Sequence, residues 1–167
     1  MSNGSAAVSS PTAEQERNVG TCRRVLTEVW GNGKLEICDE VFTTDFVRHD
    51  ANGPDSIGAS GYKDLVRQLR AAFPDMRVDI ENLSPSGNAV FFRTTMYATH
   101  TGEFYGLPAT GAKIVVKTHA EVHFDASGMS VEAWVISDYL GLTKSILNAM
   151  SLWQKLCNLP ALLKLMK

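Results

Sequence analysis

Two groups in the last third of the chain could do acid–base chemistry. Asp138 closes the run Glu132-Ala133-Trp134-Val135-Ile136-Ser137-Asp138, and His119-Ala120-Glu121-Val122-His123 lies just before it. Alternate residues of an extended strand share a face, so Glu132, Trp134, Ile136 and Asp138 should project together. Trp134 and Ile136 are apolar, so this face is expected to point inward. An acid at its end would be desolvated, which raises a carboxyl pKa and suits it to proton transfer. The same carboxylate could instead cap a helix starting near Gly141, and the residues alone leave both roles open. His119, Glu121 and His123 also share a face. On a strand an i, i+4 pair is separated by about 13 Å, too far for one ion, so no metal site is expected. Either histidine could donate a proton beside Asp138 or be an exposed polar position. His49, next to Asp50, reads as a hydrogen-bonded loop residue, and His100 as a stabiliser of the turn before Gly102. No GxSxG elbow, Ser-His-Asp order, phosphate loop or GxGxxG fingerprint is present.

The elements that must position these groups follow from hydrophobic period. Thr12 and Gln15 fit a capping box. Cys22, Val25, Leu26, Val29 and Trp30 then recur at helical spacing up to Gly31-Asn32-Gly33. A short second helix carries Leu35, Cys38, Val41 and Phe42. Phe46 to His49 is extended and leads into a Gly/Pro/Asp loop. A third helix shows Tyr62, Leu65, Val66, Leu69 and Phe73 on one side and stops at Pro74. From Met76 the period becomes two, giving strands near 76–81, 89–99, 112–124 and 129–139. Helices followed by a meander predict an α+β domain, with a strongly curved sheet closed on its concave side by the three helices. Its interior is where a ligand would sit.

Composition narrows the classes. One domain is expected from 167 residues, and a formal charge of −2 gives no case for nucleic acid. Cys22, Cys38 and Cys157 are odd in number and show no CxxC pairing, so free thiols are expected. Nothing resembles a membrane span or a basic-then-apolar signal, and a cytoplasmic protein is expected. Residues 1–11 read as a disordered leader, 12–142 as the domain and 143–167 as an amphipathic helical tail. Ile146, Leu147, Met150 and Trp153 of that tail are expected to pack on the domain or a partner rather than on a membrane.

Ala98-Thr99-His100-Thr101-Gly102-Glu103-Phe104, followed by Gly106-Leu107-Pro108-Ala109-Thr110-Gly111, resembles the hairpin signature of the SnoaL-like polyketide cyclases. These belong to the nuclear-transport-factor-2-like superfamily. Arg48-His49-Asp50, Gly61, Phe73-Pro74-Asp75 and Glu132-x-Trp134-x-x-x-Asp138 fit as well, over about residues 15–142. The resemblance implies a cone-shaped α+β barrel, a homodimer and no cofactor. It also implies a small apolar substrate undergoing acid/base-catalysed ring closure or rearrangement. In that reading Asp138 is the acid/base, His119 assists, and Phe42, Phe46, His49, His100, Phe104, His123 and Trp134 contact substrate. Alternatives are an epoxide hydrolase or dehydratase of the same fold, with Arg93 and Asp138 as parts, or a non-catalytic ligand-binding module. The chain departs from the signature at Ala98, where a glycine is usual, and in its long tail.

Overall fold

A computed structural model describes residues 10–165. The first helix, α1 (Ala13–Arg24), opens on the expected capping box, in which Thr12 and Gln15 each donate a backbone N–H to the other's side chain. It continues as a π-helical segment, Val25–Gly31, ending before Gly33, whose φ is +75°. Wider π turns often lie at functional positions, and this one carries Leu26 and Trp30 to the main cavity. Then come α2 (Ile37–Val41), β1 (Phe42–Asp50), β2 (Ser56–Ile57) and α3 (Gly58–Ala72). Three long strands and a fourth shorter one follow: β3 (Arg77–Ser86), β4 (Ala89–Thr99), β5 (Lys113–Phe124) and β6 (Ser130–Ser137). The chain ends in α4 (Tyr139–Ala149), α5 (Leu152–Cys157) and α6 (Leu159–Leu165).

The fold is α+β with a curved sheet. Its six strands run in the order β2-β1-β6-β5-β4-β3 and do not close into a full barrel. Four are the expected meander. The other two come from the region read as extended segment and loop, where β1 pairs in parallel with β6 and antiparallel with β2. One buried cluster joins the π segment, β1 and α3 through Val29, Phe42, Phe46, Tyr62 and Val66 to Ala133 and Val135. A second joins Phe73, Phe104, Leu107 and Ile114 to Leu142 and Ile146 of α4 and to Met150 just after it. The helix placed in the tail therefore starts at Tyr139, and the expected boundary at 142 falls inside it. The expected leader lies almost wholly outside the described residues.

The face assignment of β6 is reversed. Ala133, Val135 and Ser137 point to the concave side, whereas Trp134 and Ile136 are 43% and 64% exposed on the convex side. Period two is satisfied equally by either face of β6, and the helices packed on the concave side take Ala133 and Val135 into their cluster. Trp134 instead lies between two histidines, stacked on His49 at 5.2 Å and edge-on to His123 at 5.3 Å.

Candidate functional site

Alternation along β1 turns Phe46, Arg48 and Asp50 to the concave side. Phe46 and Arg48 are buried, and the Arg48 and Asp50 side chains are only 7% and 4% exposed. Arg48 Nη1–H donates to Asp50 Oδ2 at 2.7 Å, and the Asn52 amide donates to Asp50 Oδ1 at 3.0 Å. A buried ion pair is a poor source of stability, because desolvating two charges costs about as much as their attraction returns. A role in binding or chemistry is therefore the more informative account of it.

Arg48 lines a cavity of about 680 Å³, counting its mouth. Most of the wall is apolar, with Leu26, Leu69, Val78, Phe92, Met96 and Val116 among its residues. Its polar residues are few. Tyr139, the first residue of α4, lines the same cavity near the Asp50 carboxylate. Burial, reinforced by that negative charge, pushes its pKa up to about 12. Tyr62 of α3 is also pushed up to about 12, chiefly by burial. Trp30 Nε1–H donates to the Tyr62 hydroxyl at 2.6 Å, leaving the phenol its own proton to donate. Thr94 and the pair Thr118 and Ser137, hydrogen-bonded to each other at 2.9 Å, add the remaining hydroxyls. The arrangement is one guanidinium between two protonated phenols in an otherwise apolar enclosure. Such a set binds a carbonyl oxygen and, more strongly, the anion that develops on it. Among the described residues no cluster of His, Cys, Asp and Glu could hold a metal ion.

The residues singled out from the sequence scatter. Asp138 is exposed and accepts the Gly141 amide at 2.8 Å as the cap of α4, so the desolvation expected of it is absent. His119 is exposed on the outward side of β5, away from the concave face that carries Ile114, Val116 and Thr118. His123 and Trp134 share the convex face with His49, whose Nδ1 and Nε2 lie 2.8 Å from Asp55 and 2.9 Å from Glu132. His100 is fully buried against Phe73 and Phe104, with Nδ1 at 2.9 Å from Thr110 Oγ1 and Nε2 without a partner. Burial holds its pKa below the ordinary histidine value. Phe104 is core rather than cavity wall. Phe42 and Phe46, stacked at 4.2 Å, line a smaller cavity that shares Arg48, Tyr62 and Phe92 with the main one. Arg93 pairs with Glu81 at 2.6 Å on the exposed side and is no part of either cavity.

Arg48, Asp50, Tyr62 and Tyr139 were missed as a group. Their signal was present: once Phe46 is taken as core, period two carries Arg48 and Asp50 inward with it.

Comparison with known proteins agrees with this architecture. The family model for SnoaL-like polyketide cyclases matches residues 20–146. A candidate polyketide cyclase from Acidithiobacillus ferrooxidans is similar at 29% identity and a TM-score of 0.72, over 85% of this chain and 100% of that one. A candidate SnoaL-like polyketide cyclase from Jannaschia sp. CCS1 superimposes with a TM-score of 0.76 at 22% identity, over 83% and 96%. An LEH-like epoxide hydrolase from M. tuberculosis shares the fold at 15% identity and a TM-score of 0.63, over 81% and 93%. Among curated proteins, none matches this sequence.

Proposed function

Because the chain belongs to the SnoaL-like polyketide cyclase family, we propose that it is an enzyme that closes or rearranges a ring in a small, carbonyl-rich apolar substrate. The observation that carries this reading is Arg48, held by Asp50 and flanked by two protonated phenols at the wall of an apolar cavity. A chain of alternating ketones suits it. Its carbons between carbonyls are acidic, and its folded form fills an apolar enclosure near the closed geometry, which lowers the entropic barrier.

Arg48 and Tyr62 bind the carbonyl oxygen and stabilise the enolate as a C–H proton leaves. Tyr139 oxygen takes that proton while passing its own to Asp50. The enolate carbon then attacks a second carbonyl, a C–C bond forms, and the new alkoxide is protonated by the reverse transfer from Asp50 through Tyr139. The proton is returned and no electrons are gained or lost, so the step balances as an isomerisation. Asp138 starts α4 and thereby places Tyr139. Epoxide opening in this fold needs two acids about an arginine; Arg48 has one acid partner, so that reading is not favoured.

The test is the metabolite profile of producing cells carrying wild type, Tyr139→Phe, Asp50→Asn or Asp138→Asn, each variant first shown to melt cooperatively. Accumulation of one uncyclised or unrearranged precursor with Tyr139→Phe and Asp50→Asn, but not with Asp138→Asn, is expected. Accumulation with Asp138→Asn alone would transfer the chemistry to Asp138 and end the present assignment.

A further inference from the structure

The end of the chain turns an apolar stripe to solvent. Leu152, Trp153, Leu156, Leu159 and Leu163 are all exposed, the first two to 75% and 74%. Leu152 and Leu156 share one face of α5, and Leu159 and Leu163 share one face of α6. The segment is nonetheless built. Ser151 and Gln154 form a capping box on α5, Asn158 Nδ2–H donates to the Gln154 carbonyl, and Leu162 packs into the core with Phe104 and Leu107. Ile146 and Met150 pack on the domain as expected, whereas Trp153 does not pack on this chain.

Charge is sorted to match. Residues 143–167 hold Lys144, Lys155, Lys164 and Lys167 and no acid. With four of the sixteen basic residues and none of the eighteen acids there, residues 1–142 carry twelve against eighteen, a formal −6. Among the described residues no helix is long and apolar enough to cross a membrane, so this stripe can lie on a bilayer but not span it.

We infer that α5 and α6 dock this protein on an anionic lipid surface. Trp153 and the leucines enter the boundary between headgroups and acyl chains, and Lys155 of α5 meets the anionic headgroups. A second copy is the poorer occupant. A two-fold contact through this face would bring two lysine sets together with no acid in either segment to pair them. Docking rests on the stripe and the charge pattern alone and is independent of what the cavity does.

The full chain is pelleted with vesicles of phosphatidylcholine, or of phosphatidylcholine with about one-third phosphatidylglycerol. Binding at least about tenfold stronger to the anionic vesicles, weakened by salt and accompanied by a blue shift of tryptophan fluorescence, is expected. Lys155→Glu should weaken it by more than about fivefold, the effect of roughly one surface lysine. The Trp153→Ser/Leu156→Ser double variant should abolish it while leaving the melting curve unchanged, because both side chains are exposed. Should that variant fold poorly, Lys155→Glu and Leu152→Ser carry the test. No pelleting of wild type, or equal pelleting of the double variant, overturns the proposal. So does light scattering that shows a larger wild-type oligomer broken by the double variant, which would assign the stripe to another copy.

Discussion

Asp50 and Arg48 depend on each other in a way the surface ion pairs do not. Asp50→Ala strands a buried guanidinium and should cost about 3–5 kcal/mol in urea unfolding, whereas replacing both by apolar residues (Arg48→Met with Asp50→Leu) should restore most of it. If the double change were as damaging as the single one, the pair would be a net stabiliser. Asp138 behaves differently, as a cap. Asp138→Ala should cost about 1 kcal/mol, and Asp138→Asn only a few tenths, because asparagine caps nearly as well. His49 adds a pH-dependent contribution. Hydrogen bonds that its ring donates to Glu132 and then to Asp55 raise its pKa above the ordinary histidine value. A group whose folded pKa is raised stabilises the fold fully below its unfolded pKa, near 6.5, and this is lost as pH rises through the folded value. The melting temperature of His49→Gln should therefore fall short of wild type at mildly acid pH and converge with it above neutrality. A deficit that grew with pH would contradict the assignment.

Elements were more legible than faces. The helices, the four-strand meander and the capping box at Thr12 follow from period and cap chemistry, which are local. The site does not. Whether Trp134 or Val135 points inward depends on how tightly the sheet curves and what presses on its hollow side, and period two is equally satisfied by both. The pairing of β1 with β6 joins segments more than eighty residues apart, and nothing in either segment announces the other. At the hairpin after β4, by contrast, one residue was dictated by contact. A Cβ on Gly102 would stand 2.0 Å from the Ala71 carbonyl oxygen at the end of α3, where the Thr101 and Gly102 amides both donate to Ala72. Gly102→Ala must push the loop off α3 and should cost more than about 3 kcal/mol in urea unfolding; a neutral substitution would show that the loop is not seated there.

Over the whole molecule, the hidden and open thiols separate cleanly. Burial pushes Cys22 up to about 12 and Cys38 up to about 11, while Cys157 on α5 is exposed. A disulfide reagent should titrate one thiol quickly in the native protein and all three after unfolding. Two fast thiols would mean that α1 or α2 opens readily. The parallel pairing of β1 with β6 has a consequence of a different kind. The cavity's polar wall takes Arg48 from near the start of the domain and Tyr139 from its end, so it cannot exist until both have been synthesised and brought together. Contacts so distant in sequence form slowly, after local helices and hairpins. A nascent chain stalled before residue 139 could hold every helix of the first half and most of the meander and still lack one side of that polar wall, so the completed cavity would arrive late in folding and as a single event.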